Sequence, residues 1–295
     1  MPREWSILYR GPLSSCNYDC GYCPFAKTRN TREELREDER CLRRFVSWVS
    51  GREEEIGILV TPWGEALGHP YYQGALTELS HLANVRRVAI QTNLSGRLDW
   101  IAGANANCLA LWCTFHPTQT SMGNFLKQCG VLDRRALRYS VGVVGTRDAF
   151  DSLRQLRAGL REDVYLWINA FKRDPGYYSE AEVQFLTELD PLFPLNNQRH
   201  ASLGRTCRTG HSVFSVDGAG NIRRCHFVRD VIANIYDSGF ERALHPRVCP
   251  AKTCGCHIGY VHLEHLGLSE VFGDGVLERV VRRETFPQSP IAKLP

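Results

Sequence analysis

From Trp5 to about Ser179, short apolar runs alternate with longer stretches of helical periodicity. Ser6 to Tyr9 predicts a strand that ends at Gly11 and Pro12. Thr31 to Ser50 is charged, yet Leu35, Leu42, Phe45 and Val49 recur at helical spacing. Ile56 to Val60 predicts a second strand, which runs into Thr61, Pro62, Trp63, Gly64 and Glu65. Further strands are predicted at Val88 to Gln91, Cys108 to Thr114, Tyr139 to Val144 and Val164 to Ala170. Helices are predicted at Tyr72 to Leu82, Phe125 to Leu137 and Ala149 to Leu160. Six apolar strands separated by helices imply a parallel α/β sheet with right-handed crossovers, either doubly wound or a partial barrel.

The pattern changes after about Asn197. His211 to Val216 and Ile222 to Val228 predict a hairpin, with Gly218 and Gly220 in its turn. From there to Val261 the chain is rich in Cys and His and poor in long periodic elements. Such a stretch is expected to need a metal to organise it. One helix is predicted at Gly275 to Arg283, followed by a Pro-containing tail. The expected division is 1–198, 199–265 and 266–295, with no internal repeat.

The 295 residues, 43% of them hydrophobic, allow one large domain, alone or with a small appendage. A net charge of +4, without a Lys/Arg block, gives no argument for nucleic acid as a partner. The start lacks an apolar signal region, and no apolar run reaches membrane length, so a soluble cytoplasmic protein is expected. Twelve cysteines change the picture most. A secreted disulfide scaffold would be small and carry a signal peptide, whereas clustered cysteines in a reducing compartment point to metal. Cys16, Cys20 and Cys23 form one group, and Cys207, Cys225, Cys249, Cys254 and Cys256 a second. Cys41, Cys108, Cys113 and Cys129 stand singly and are expected to be small buried hydrophobes.

The first group puts three thiols within eight residues, just after the first strand. Closely spaced Cys thiolates hold iron–sulfur clusters. Three of them leave one iron of a 4Fe–4S cubane open, as a reactive site requires. The spacing Cys-x3-Cys-x2-Cys on such a loop resembles the radical S-adenosylmethionine (SAM) superfamily, over roughly the first 200 residues. The resemblance implies a partial (β/α)6 TIM-like barrel. It also implies that Tyr22 packs against the adenine, and that Gly64 and Glu65 stand where the family's Gly-Gly-Glu motif holds the methionine amino group. Trp63 replaces the first Gly of that motif. Gln91, Thr92 and Asn93, with Thr114, Phe115 and His116, fall at strand ends where the family places SAM-facing polar residues. By the same resemblance, SAM is reductively cleaved at the open iron. A one-electron donor such as flavodoxin or ferredoxin supplies the electron, and a 5′-deoxyadenosyl radical abstracts hydrogen from a substrate.

The second group looks like the SPASM/twitch extensions of such enzymes. Cys207 and Cys225 flank the hairpin, and two of Cys249, Cys254 and Cys256 would complete one auxiliary 4Fe–4S site. Structural zinc is the alternative at either group, which would make the chain a zinc-binding α/β protein. His116 is either an active-site group or a capping residue. The run Glu33 to Arg40 is expected to be a solvated helix face. Arg205, Arg208, Arg223 and Arg224 are expected to balance an anionic cluster or receive an acidic substrate. The first strand lies close to Met1, which favours a small molecule over a peptide as substrate. A peptide-modifying maturase is the alternative.

Overall fold

A computed structural model describes residues 4–25 and 28–282. Six strands are β1 (Glu4–Arg10), β2 (Glu55–Val60), β3 (Val85–Thr92), β4 (Leu109–Phe115), β5 (Arg138–Val144) and β6 (Leu166–Asn169). They lie side by side in chain order, every pair parallel. Helices α1 (Arg32–Ser50), α2 (Pro70–His81), α3 (Met122–Arg134) and α4 (Phe150–Gly159) connect them, and α5 (Glu180–Leu189) follows β6. This is the open, partial TIM-like barrel that the periodicity and the resemblance call for. The capping box of Thr31 and Glu34 starts α1. A second one, of Ser179 and Glu182, starts α5, which sequence periodicity did not reveal.

The sheet is apolar on both faces, because each face has a cover. Ile7, Ile58, Val88, Leu111, Val141 and Ile168 pack beneath the helices. The alternate residues Leu8, Leu59, Ala89, Trp112 and Trp167 point to the concave face. Ile258, Tyr260, Val261, Leu263, Leu268 and Phe272 cover them there. The Cys- and His-rich stretch therefore has an apolar anchor inside the barrel. The stretch thus has some apolar core of its own, beside whatever a metal contributes.

The predicted hairpin forms between Val213–Asp217 and Asn221–Arg223. Its first strand pairs in parallel with β1, so it extends the barrel sheet. Its second strand is shorter than predicted, and Val231–Asn234 adds a further antiparallel strand. Among the described residues, the helix predicted from Gly275 does not form. A short helix lies at Leu268–Phe272 instead, and Arg279 adopts a left-handed backbone, φ 54°. That geometry interrupts a helix and seats the Arg279 guanidinium 4.4 Å from the Trp167 ring centre. Residues 283–295, where that prediction ended, lie outside the described residues. Cys108, Cys113 and Cys129 are buried, whereas Cys41 is half-buried.

Candidate active site

The loop after β1 is held from three sides. Asp38 of α1, fully buried, accepts from the Leu13 amide at 3.1 Å and from the Tyr71 and Tyr72 hydroxyls. Burial raises the affinity of its carboxyl for a proton, against the pull of those three donors. Asn30 accepts from the Ser14 and Ser15 amides at 2.8 and 2.9 Å. From the loop after β2, the Glu65 amide donates to the Ser15 carbonyl at 3.1 Å. A Cβ on Gly64 would stand 1.7 Å from that same carbonyl oxygen. Gly64 is thus required by the approach of two backbones.

So anchored, Cys16, Cys20 and Cys23 line one cleft with Tyr18, Trp63, Gly64, Glu65, Gln91, Asn93, Thr114 and His116. No fourth cysteine lines it among the described residues. The Tyr18 amide points at Cys16 Sγ, 3.4 Å away, and the Phe25 amide at Cys23 Sγ, also 3.4 Å. Asn93 Nδ2 lies 3.8 Å from Cys16 Sγ. Donors aimed at sulfur favour the thiolate form that ligates metal. Burial still raises the Cys16 thiol above its ordinary value.

Glu65 is buried, and three donors already meet its carboxylate: Thr92 Oγ1 at 2.8 Å and the amides of Leu67 and Asn93 at 3.0 and 2.6 Å. It braces the end of β3 against the cysteine loop. A carboxylate has about four acceptor sites, so the cleft can still draw on it. Tyr22 is not among the residues that line the cleft. Its hydroxyl lies 2.7 Å from His116 Nδ1, and its ring stacks on that imidazole. Cys20 Sγ lies 3.4 Å from the same nitrogen. Burial lowers His116 to about 4, so it is a neutral imidazole bridging Cys20 and Tyr22, neither a surface residue nor a helix cap.

The second group also converges. Cys207, Cys225 and Cys249 are buried, and Cys254 is half-buried. Burial and then Cys207 raise the Cys225 thiol. Burial and then Cys225, Cys256 and Cys249 push Cys254 up to about 12. These thiols are therefore near neighbours. Gly259 leaves room for Cys254, whose Sγ would stand 2.6 Å from a Cβ there. Cys256 differs: it is exposed, yet burial raises its thiol, with Lys172, Arg279 and Arg10 opposing. Of the arginines weighed from the sequence, Arg205 is exposed, while Arg224 is buried and donates to the carbonyls of Val248 and Arg247. Among the described residues, no three Cys, His, Asp or Glu side chains sit at single-ion spacing.

The donor set fits an iron–sulfur cluster in the first cleft: three thiols, backbone donors on two of them, and polar strand ends opposite. The fold and this loop together define the class, the fold of the radical SAM enzymes. A solved structure of native anSMEcpe with bound AdoMet matches at a TM-score of 0.53 and 14% identity, over 81% of this chain and 83% of that one. Native anSMEcpe with bound AdoMet and Kp18Cys peptide matches at a TM-score of 0.56 and 14% identity, over 83% of this chain and 81% of that one. No family model matches the sequence, nor does any curated protein. No helix among the described residues is long and apolar enough to cross a membrane.

Proposed function

We propose that the chain is a radical SAM enzyme acting on a small molecule by hydrogen-atom abstraction. The observation that carries this reading is the convergence of Cys16, Cys20 and Cys23 on one cleft with Gly64 and Glu65, where the cysteine loop and the loop after β2 meet backbone to backbone. Bound there, a 4Fe–4S cluster supplies reductive cleavage of SAM to the 5′-deoxyadenosyl radical. The chain's own residues bind and orient. Gln91, Asn93 and Thr114, at the carboxyl ends of β3 and β4, offer hydrogen bonds to SAM. Glu65 fixes the loop and takes the methionine ammonium on its remaining acceptor sites. Tyr22 and Tyr18 flank the loop, and His116 holds Tyr22 beside Cys20.

In the same reading, residues 199–265 hold one auxiliary 4Fe–4S cluster. The burial of Cys207, Cys225 and Cys249, with Cys225 and Cys249 acting on Cys254, supports these four as its ligands. Cys256, exposed and within reach of the Lys172 charge, is then the fifth thiol. The electron comes from a flavodoxin- or ferredoxin-type donor.

The test is anaerobic reconstitution with iron and sulfide, followed by reduction in the presence of SAM. Wild type forms 5′-deoxyadenosine. Cys20→Ala forms none, yet keeps the iron of the second site. A colourless protein that holds zinc and refuses iron would defeat the proposal, as would SAM cleavage by Cys20→Ala.

A further inference from the structure

A second cleft, of about 520 Å³, adjoins the cysteine cleft, and Trp63 lines both. Its walls come from the carboxyl end of β1, the loop after β2, and both strands of the hairpin with the turn that follows: Arg10, Trp63, Ser215, Asp217, Arg223 and His226. The charges there are balanced except at one place. Asp217 is paired with Arg223 at 2.6 Å. Glu37, at the rim, is paired with Arg40. Arg10 has no carboxylate partner among the described residues. Its Nε donates to the Thr61 carbonyl at 2.7 Å, and its guanidinium carbon lies 3.9 Å from the Trp63 ring centre.

This arrangement seats the guanidinium over the indole, with Nε spent on Thr61 and its outer edge unspent. A planar cation held so presents two parallel N–H groups, the fork that matches a carboxylate or phosphate. Thr61 does not compete for it. The Thr61 hydroxyl lies 3.3 Å from the Tyr9 carbonyl and 2.9 Å from His226 Nε2. The Cys256 thiol is the neighbour that favours the Arg10 charge; without a carboxylate beside it, a half-buried cation still costs stability, and a bound oxyanion would recover that cost. Trp63 is 37% exposed and Phe25 46%, with ring centres 4.4 Å apart. They supply an apolar wall that leads from Arg10 to the cysteine cleft.

We propose that this cleft binds the substrate through an oxyanion, a carboxylate or phosphate gripped by Arg10, with the substrate's apolar body laid along Trp63. The proposal deepens the radical SAM reading, because it names the substrate class of the same site. The anion site nevertheless stands on its own residues. Trp63, at the position where the resemblance expects Gly, becomes the wall shared by cofactor and substrate.

Three probes test it on the reconstituted protein by calorimetry: benzoate, phenyl phosphate and the uncharged isostere benzamide. Wild type binds at least one of the two anions about tenfold more tightly than benzamide, as a charge-assisted fork predicts. Added salt and Arg10→Gln both erase that advantage, and Arg10→Lys restores part of it. Trp63→Leu weakens all three probes together. An unchanged melting temperature and unchanged SAM affinity show that Arg10→Gln remains folded with its cofactor site intact. Equal binding of benzamide and both anions, no binding of any probe, or full anion binding by Arg10→Gln overturns the proposal. Measuring 5′-deoxyadenosine in parallel separates the two claims. Anion binding without SAM cleavage removes the radical reading alone, and cleavage with anion binding unchanged in Arg10→Gln removes the anion site alone.

Discussion

Cys16, Cys20 and Cys23 sit in one loop whose backbone is tied to α1 and to the loop after β2. Cys207, Cys225, Cys249 and Cys254 come instead from separate turns spread over some fifty residues. The first group is held by its neighbours' hydrogen bonds: Asp38 on Leu13, Asn30 on Ser14 and Ser15, Glu65 on Ser15. The second is held by two-residue pairings and an apolar anchor. Cys207 pairs across to Arg247, and Cys254 to His200. A loop fixed by many local bonds pre-forms its site and can leave a ligand position open. Short, scattered pairings leave a site that gains much of its order from what it binds. The contrast suits a reactive centre in the first case and a closed centre in the second.

The largest effect expected from breaking this contrast is at Gly64. Gly64→Ala puts a methyl group 1.7 Å from the Ser15 carbonyl, backbone against backbone, with no flexible side chain to yield. The cysteine loop must move as a whole. Iron analysis after reconstitution is expected to show the first site empty and the second filled, with 5′-deoxyadenosine formation at background. Full iron loading with normal SAM cleavage would show that the two backbones are less tightly joined than the contact implies.

Within the second group the comparison becomes sharper. Cys254→Ala removes a thiol set among three others and is expected to release the auxiliary iron and lower the melting temperature, because metal binding there contributes to folding. Cys256→Ala is expected to leave both intact, since that thiol is the exposed one of the five. The reverse result, iron lost with Cys256→Ala and kept with Cys254→Ala, would exchange the two assignments.

Much of the barrel was legible from periodicity, because strands covered on both faces read as short apolar runs and amphipathic helices carry their own spacing. The cysteine loop was legible because all its ligands are local. What stayed hidden depends on chain folding over long distances. Nothing in Arg10 itself reveals that Thr61 and Trp63 will fix its guanidinium. Lys172 gives no sign that it will reach the carbonyls of Asn196 and Gly255. The apolar residues from Ile258 to Phe272 were too sparse to show a period, yet they fill the concave face. Asp38 is the instructive miss. It sits in the charge run taken as a solvated face, but it falls four before Leu42 and seven before Phe45, on the buried stripe. A polar residue at an apolar register position was the available signal.

Asp38 gives the smallest effect and a direct measure of how firmly the first loop is held. Burial raises its proton affinity in the folded chain above the unfolded value, about 4 for an aspartate. The folded state therefore binds the proton more tightly. The stability that this contributes is fully present below the unfolded value and is lost as pH rises through the folded one. Asp38→Asn keeps an oxygen for the Leu13 amide and the Tyr72 hydroxyl, and its amide nitrogen can donate to Tyr71. The variant is expected to be less stable by about 1 kcal/mol under acidic conditions. The gap should narrow toward neutral pH, where wild type carries a buried charge and the amide does not. Denaturant melts of the two proteins side by side, from mildly acidic to neutral pH, read this directly. A gap that widens with rising pH would mean that the three donors outweigh burial. The carboxylate would then hold the loop more tightly as an anion than as an acid.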